Sequence, residues 1–351
     1  MLALPINYRN FRLHGGGSLC PYDQLSIFVY GNAGDAIQYL ALKELLEQEL
    51  GQTLYCCNSF YPEVFDLSGK IQDVAPADIT MVVCGYTGLF VNMFVPTYVP
   101  GSGHVRPQNC IYLGISISQS DERGGQDGLD LALQLDFPQK LAPYGPIGCR
   151  DRLTRDFLRA HGVDAYYSGC MTMGFAARTI DPKQPPQDTV ILDLQPGFWP
   201  QLPQELIQNA VYPTHCLLYH DDPENLTSSL AFFAEAQARV DYYRKQAKLI
   251  ITSRIHGTIP ALALDIPVIF LSDCTDQRMD MLKYLIKQHR SSEPLNFEQL
   301  KRSATQHSYF AEVRAAVREN ALDRLAGKDD RGSIRRLEQI LEYDFLGQRT
   351  S

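Results

Sequence analysis

The sequence has no excess of positive charge and no apolar run of membrane length. Lys and Arg number 32 against 40 Asp and Glu, so the formal net charge is −8. This balance argues against duplex nucleic acid as the main partner, because binding to a phosphate backbone needs clustered cations. A small anionic ligand stays compatible with it. No window reaches the roughly 18 uninterrupted apolar residues of a membrane-spanning helix. We therefore expect a soluble protein without a transmembrane segment.

Cysteine spacings typical of metal or redox sites are also missing. The nine cysteines are an odd number scattered through apparent strands, and the adjacent Cys56 and Cys57 fit neither a redox motif nor a zinc knuckle. Residues 1–17 lack the basic and then apolar pattern of a secretory signal. We expect buried, reduced thiols, no metal and a cytoplasmic protein. Contact with the inner membrane surface is left open.

Strand-length apolar runs alternate with amphipathic helices through most of the chain. The run at residues 25–30 (LSIFVY) is followed by GNAGD and then by a helical pattern, for which Asp35 is a suitable N-cap. The same alternation continues to residue 180, which predicts a parallel α/β sheet with helices on both faces. We expect residues 25–35 to form the strand, turn and helix that open this sheet.

The segment 181–187 (DPKQPPQ) divides the chain into two halves. Its three prolines exclude a helix or a central strand, so it is predicted to be a linker. The strand and helix pattern restarts after it. We therefore predict two doubly wound, Rossmann-like domains, residues 1–182 and 188–351, the second ending in a helical tail. A ligand in such a fold usually lies in the cleft between the domains, at the carboxyl ends of strands.

The segment from Ser253 to Gly257 (SRIHG) is the strongest candidate site. It follows a predicted strand at 249–252, and we expect Arg254 and His256 to project from a turn before the helix IPALALD. Residues two apart on an extended backbone point the same way, so both side chains could reach one ligand. Arg suits phosphate or carboxylate, and His can exchange a proton near neutral pH. Gly257 would let the backbone approach the ligand. The alternative is an Arg that caps carbonyls and a His buried in the domain interface.

Two further motifs also follow strands. In GCRD, Arg150 is a candidate anion ligand or a partner in a surface ion pair, and Asp151 is expected to cap the next helix. In GNAGD, Gly31 and Gly34 either expose backbone N–H groups to an anion or make a tight turn. The motif is neither a dinucleotide fingerprint nor a phosphate loop.

Taken together, the three motifs resemble those of the polysaccharide pyruvyltransferase family. The Gly-Asn-x-Gly-Asp segment of that family corresponds to residues 31–35, with Asn32 as its second residue. An Arg-Asp pair after a mid-chain strand corresponds to Arg150-Asp151. The Arg-Leu-His motif before a helix and a Gly-x-Pro strand corresponds to Arg254-Ile255-His256, here followed by Asp-Ile-Pro at 265–267. The resemblance covers roughly residues 25–285.

The resemblance implies a fold similar to two-domain, B-type glycosyltransferases. It also implies transfer of a pyruvyl group from phosphoenolpyruvate to two hydroxyls of a sugar, which gives a ketal. The partners would be phosphoenolpyruvate and a sugar or glycan acceptor, with a lipid-linked acceptor left open, and no cofactor is implied. His256 and Arg254 would be catalytic, with His256 as the acid. The resemblance also links Arg150 and Ile255 with the phosphoenolpyruvate site. Further predicted substrate-binding residues are Gly257, Gly31, Asn32, Gly34, Asp35 and Arg278; Arg278 is the cation nearest to the position of a family lysine, and Gly257 stands where other members have Ala.

Two other functions are compatible with the same fold. One is a glycosyltransferase that uses a nucleotide sugar, for which Glu224 and Asp273 are unconvincing candidates to hold a ribose. The other is a non-catalytic glycan-assembly protein. The presence of Arg150, Arg254 and His256 together argues mildly against the latter, because an inactive site does not need three convergent polar groups.

Overall fold

A computed structural model describes residues 2–3, 29–51, 55–57, 64–66, 80–86, 109–117, 128–134, 136–219, 226–275, 277–304, 308–328 and 330–343. The strands are β1 Leu2–Ala3, β2 Val29–Asn32, β3 Tyr55–Cys57, β4 Val64–Asp66, β5 Thr80–Tyr86, β6 Asn109–Ser116, β7 Ile147–Cys149, β8 Ala165–Tyr167, β9 Asp188–Leu192, β10 Ala210–Val211, β11 Cys216–Tyr219, β12 Ala247–Thr252, β13 Val268–Leu271 and β14 Gln288–His289. The α-helices are α1 Ala33–Glu49, α2 Gly128–Gln134, α3 Phe137–Leu141, α4 Arg152–Ala160, α5 Gln204–Gln208, α6 Leu226–Gln246, α7 Ile255–Ala263, α8 Asp280–Leu285, α9 Phe297–Ser303, α10 Ser308–Leu325 and α11 Arg331–Glu342.

The strands form two large sheets. The first has the order β4-β3-β1-β5-β6-β7-β8 and is parallel except for β4, which runs antiparallel to β3. The second has the order β10-β9-β12-β13-β14 and is parallel throughout. The prediction of an α/β fold with parallel sheets is confirmed. The segment 175–187 contains no helix or strand, and β9 begins directly after it. Its role as a linker between two domains stays a prediction.

The predicted opening of the first sheet is wrong. Strand β2 lies in neither large sheet, since it pairs antiparallel with β11 in a separate two-stranded ribbon. Helix α1 begins immediately after β2, at Ala33, whose N–H donates to the His215 carbonyl (2.8 Å) just before β11. Because α1 starts at Ala33, Asp35 is the third residue of the helix and is not its N-cap. Strand β2 thus pairs with a strand far along the chain, and the predicted strand, turn and helix do not open the first sheet.

One hydrophobic core cluster joins residues of both sheets. It includes Ile37 and Leu45 of α1, Tyr166 of β8, Val190 of β9 and Ile250 of β12. Burial of such side chains contributes about 1.5–3 kcal/mol each to stability. A second cluster, which includes Ile191, Phe198 and Ile251, covers the other face of the second sheet. Helix α1 therefore packs where the two halves meet.

The C-terminal helices return to the first sheet. The Tyr166 hydroxyl in β8 donates to Asn320 Oδ1 of α10 (2.8 Å), and Arg159 Nη2 of α4 donates to Glu338 Oε1 of α11 (2.9 Å). These contacts fix helices that follow the second sheet in sequence onto the edge of the first sheet. In the described part of the chain, no helix is long and apolar enough to cross a membrane.

Candidate functional site

Helix α7 begins earlier than the sequence pattern suggests. Arg254 occupies the N-cap with an extended backbone (φ −95°, ψ 136°), and Ile255 is already the first helical residue. His256 therefore lies in the first helical turn. The predicted extended spacing of Arg254 and His256 is wrong, because the backbone changes from extended to helical between them. Among the described contacts, Arg254 pairs with Asp193 and His256 lies against Arg150.

His256 is buried against Arg150. The His256 side chain is 6% exposed, and its Nε2 lies 3.5 Å from Arg150 Nη1. Gly34 in the first turn of α1 packs on the same imidazole, since a Cβ at this position would lie 2.5 Å from His256 Nδ1. The three short motifs thus meet at one place. We call Gly34, Arg150 and His256, together with Arg254 at the N-cap of α7, the arginine–histidine cluster.

The guanidinium of Arg150 is enclosed. Arg150 is 1% exposed, and its Nε has no hydrogen-bond partner among the described residues. Its backbone is held at the end of β7, where its N–H donates to the Ile115 carbonyl (2.6 Å). A buried cation without a paired anion is costly. Arg150 forms no ion pair with another described residue, and among these residues Asp151 is a carboxylate that it influences electrostatically. Its burial excludes a surface ion pair and favours an anionic partner at this place.

Asp151 is a helix cap, as the sequence predicts. Its Oδ1 accepts the Thr154 N–H (2.8 Å) at the start of α4, and its Oδ2 accepts the Ser116 hydroxyl. Burial raises the pKa of this carboxyl, and the hydrogen bond from Ser116 opposes the rise. Because both oxygens are engaged within the first half, Asp151 serves to place the residue before it, Arg150.

Arg254 is oriented by a residue that the sequence analysis missed. Its side chain is about a third exposed, and its Nε lies 3.1 Å from Oδ2 of Asp193, which directly follows β9. Asp193 also accepts the Thr214 hydroxyl (2.6 Å) and the His215 N–H (2.9 Å). The sequence feature that could have pointed to Asp193 is an acidic residue at the carboxyl end of β9, the strand that pairs with β12.

His215 is a second missed residue. Its Nε2 lies 3.0 Å from the Tyr243 hydroxyl, and its Nδ1 has no partner among the described residues. Complete burial lowers the pKa of His215 to about 3, and Asp193 opposes this shift. The imidazole is therefore neutral at physiological pH. Its carbonyl accepts the first N–H of α1, which links this histidine to the GNAGD segment.

Gly257 packs tightly inside α7. A Cβ there would lie 2.7 Å from Leu192 Cδ2 and 2.8 Å from Thr252 Oγ1. The missing side chain lets α7 lie close to β9 and β12, which is a packing requirement of the fold. Ile255 is half-buried and packs on the main core cluster. Whether either residue also contacts a ligand stays a prediction.

The remaining predicted site residues contribute no described side chain. Gly31 and Asn32 lie in β2, and Asp35 lies in the first turn of α1. Arg278 lies in the short 3₁₀ helix Gln277–Met279. The side chains of Asn32, Asp35 and Arg278 are outside the described part, as is Glu224 altogether.

Asp273 is exposed, and its carboxylate accepts the Ser291 N–H (2.8 Å). Hydrogen bonds from Ser291 lower its pKa. The carboxylate thus serves a loop contact within the second half.

Two helix N-termini meet at the cluster. Gly34 is the second residue of α1 and His256 is the second residue of α7, and their contact brings the positive ends of both helix dipoles together. Arg150 adds a guanidinium group beside His256, and Arg254 at the N-cap of α7 carries a second one, which pairs with Asp193. Such an arrangement favours an anion, and guanidinium groups suit phosphate and carboxylate in particular. The imidazole adds a group that can carry a proton.

Parallel sheets with cations at joined helix N-termini are typical of an α/β protein with an anionic ligand. A model of the polysaccharide pyruvyl transferase family matches residues 32–274, more than half of the 351 residues. The chain therefore belongs to the polysaccharide pyruvyl transferase family, and it is an enzyme of the transferase class.

Comparison with individual proteins gives no further indication of the function. No curated protein matches the sequence. Among solved structures, the chain is similar to a functionally uncharacterised protein from Klebsiella pneumoniae subsp. pneumoniae. The two share 12% identical residues and a TM-score of 0.38 over 70% of this chain and 81% of that one.

Proposed function

We propose that this enzyme transfers the pyruvyl group of phosphoenolpyruvate to two hydroxyls of a sugar, in a polysaccharide or its precursor, and forms a ketal. The observation that carries the proposal is the buried Arg150 guanidinium beside His256, at the meeting point of two helix N-termini. Phosphoenolpyruvate carries a phosphate and a carboxylate, so it matches a site that offers two arginines. No cofactor enters this scheme.

The cluster supplies the groups that the chemistry needs. A proton from His256 adds to the methylene carbon of the donor, and a sugar hydroxyl attacks the neighbouring carbon, which then bears phosphate, carboxylate, methyl and sugar oxygen. Departure of phosphate leaves an oxocarbenium ion, and the second hydroxyl closes the ketal. The two hydroxyl protons are lost, one replacing that of His256 and one passing to phosphate or solvent. Arg150 and Arg254 stabilise the charge on phosphate and carboxylate.

The 3.5 Å separation of Arg150 and His256 sets a condition on this step. A guanidinium and a protonated imidazole at this distance repel each other. A bound phosphate or carboxylate between them removes that repulsion. The donor itself would therefore favour the protonated, acidic form of His256, and the acid would be available only when the donor is bound.

The acceptor would enter between two Rossmann-like halves in a B-type glycosyltransferase arrangement. What supports this proposal is that Arg150 follows a strand of the first sheet, while Arg254 follows a strand of the second. An acceptor larger than phosphoenolpyruvate needs an open approach to that junction. A cytoplasmic location with a lipid-linked acceptor at the inner membrane surface belongs to the same proposal.

The test is a thermal-shift and calorimetric titration with phosphoenolpyruvate on the wild type and on Arg254→Ala. A ligand that binds only the native state stabilises it by RT ln(1 + [L]/Kd), so weak binding is detectable at millimolar concentrations. We expect stabilisation of the wild type that is lost in the variant. A response to a nucleotide sugar, with none to phosphoenolpyruvate, would replace pyruvyl transfer by glycosyl transfer.

A further inference from the structure

Asp193 has an unusual backbone for a residue with a side chain. It directly follows β9 and has a positive φ of 43°. Non-glycine residues in the left-handed region carry a conformational cost, and they persist where surrounding contacts hold them. Such residues cluster at functional sites. The contacts of the Asp193 side chain show what holds it here.

Three donors surround this carboxylate. Oδ1 accepts the Thr214 hydroxyl (2.6 Å), while Oδ2 accepts the His215 N–H (2.9 Å) and lies 3.1 Å from Arg254 Nε. Thr214 and His215 lie on the segment before β11, and their two hydrogen bonds hold the carboxylate in place. An ion pair through Nε restricts the plane of the guanidinium, because Nε stands at its junction with the side chain.

The ring of His215 does not compete for the carboxylate. Because burial lowers the pKa of His215 to about 3, the imidazole beside Asp193 is neutral and bonds to Tyr243 instead. Among the described residues, Arg254 is the cation with which Asp193 forms an ion pair. Asp193 thus forms its ion pair with Arg254, the N-cap residue of α7.

We infer that Asp193 is a positioning residue, which holds the Arg254 guanidinium in the orientation that the anionic donor requires. The inference rests on the proposed function. It assigns no contact between Asp193 and the donor, since a carboxylate would repel phosphate and carboxylate groups. Asp193 acts through Arg254 alone.

The first variant is Asp193→Asn, since Asn tolerates positive φ and keeps an acceptor oxygen. We expect phosphoenolpyruvate to bind about tenfold more weakly or worse, as loss of a charge-assisted pair predicts. The melting temperature should stay near that of the wild type. If Asn fails to fold, Asp193→Gly relieves the left-handed backbone and allows the same measurement. Unchanged or tighter donor binding in the folded variant would overturn the inference, because tighter binding would mean that Asp193 only repels the donor.

A matched control exists elsewhere in the fold. Asp265 also has a positive φ (57°) and pairs with an arginine, with Arg314 Nη1 2.8 Å from its Oδ1. Asp265→Asn removes the same charge from the same kind of backbone, outside the arginine–histidine cluster. We expect it to leave donor binding unchanged. An equal loss of binding in both variants would show that the effect of Asp193→Asn is general destabilisation.

A double-mutant cycle that combines Asp193→Asn with Arg254→Ala tests whether Asp193 affects donor binding through Arg254. If Asp193 acts through Arg254, Asp193→Asn should change donor binding little further once Arg254 is absent. Additive losses would overturn the inference.

A measurement made in the absence of phosphoenolpyruvate distinguishes the failure of this inference from the failure of the proposed function. Hydrogen exchange of the Arg254 Nε–H, followed by ¹⁵N NMR, should be slowed in the wild type and faster in Asp193→Asn. Slow exchange together with no response to phosphoenolpyruvate would reject the proposed donor and retain the positioning of Arg254. Equal exchange in both proteins would reject the positioning role, whatever the donor.

Discussion

Arg150 Nη1 and His256 Nε2 lie 3.5 Å apart although 106 positions separate the two residues along the chain. Each follows a strand of a different sheet, so the pair exists only when both sheets and helix α1 are assembled. Gly34 of α1 completes the contact, since its missing side chain makes room for the imidazole. The site therefore forms only where residues that follow the two sheets meet, and variants at this place should separate stability from function.

Replacing Arg150 by methionine should leave the protein folded but unable to bind the donor. The guanidinium is buried and its Nε has no partner among the described residues, so an apolar side chain of similar length avoids a desolvation cost. We expect a melting temperature equal to or above that of the wild type, and loss of the stabilisation by phosphoenolpyruvate. Differential scanning fluorimetry with and without the donor measures both.

The matched control for this variant is Arg335→Met. Arg335 is exposed on α11, so its replacement removes an equal charge outside the cluster and should preserve the donor response. A strongly lowered melting temperature in Arg150→Met would instead assign Arg150 a structural role.

Gly34→Ala should disturb the imidazole while the fold persists. The new Cβ would lie 2.5 Å from His256 Nδ1, so the buried ring must shift from its position beside Arg150. Overpacking of this kind costs about 1–3 kcal/mol, partly offset by about 1 kcal/mol from the higher helix propensity of alanine. We expect the catalytic rate to fall by tenfold or more, about 1.4 kcal/mol in barrier height. Steady-state kinetics with the donor measures this fall.

Gly332→Ala is the matched control, because Gly332 also lies in a helix and a Cβ there would meet nothing within 4 Å. It should gain stability and keep full activity. Equal activity in the two alanine variants would exclude the steric account of Gly34.

How far the sequence predicts this site depends on the range of the interactions. Arg150 and His256 could be brought together from sequence, because each motif follows a strand of a parallel sheet and ligands bind at the carboxyl ends of such strands. The contact of Gly34 with His256 could not, since β2 before it pairs antiparallel with β11 outside both large sheets. The start of α7 could not be predicted from the sequence. Pro260 favours a helix that begins near it, yet the helix begins at Ile255 and includes Pro260, since burial of nearly the whole helix outweighs the lost hydrogen bond.

The positive φ of Asp193 and the pairing of β2 with β11 could not be predicted from the sequence for a related reason. A positive φ in a non-glycine residue is imposed by long-range contacts, here those with Thr214, His215 and Arg254. Strand β2 likewise finds its partner almost two hundred residues away. Local periodicity carries no information on either contact.

Gly257→Ala should reduce stability more than donor binding. A Cβ at this position would clash with Leu192 and Thr252, both buried in the sheet beneath α7, so the cost is overpacking of about 1–3 kcal/mol. We expect a lower urea midpoint and a donor affinity within a few-fold of the wild type. A large loss of affinity at unchanged stability would show instead that Gly257 is needed for close approach of the ligand.

Acid should destabilise the protein partly through His215. Burial lowers the pKa of this imidazole from its ordinary 6.5 to about 3, so between these values the unfolded chain binds a proton that the folded chain does not. The free energy of unfolding should therefore fall as the pH is lowered through this window, by up to about 1.4 kcal/mol per pH unit from this one group. In His215→Gln the side chain stays neutral, while the backbone groups that bond to Asp193 and Ala33 remain. Urea unfolding at a series of pH values should show a smaller acid dependence in the variant, and parallel curves for the two proteins would contradict a neutral, buried His215.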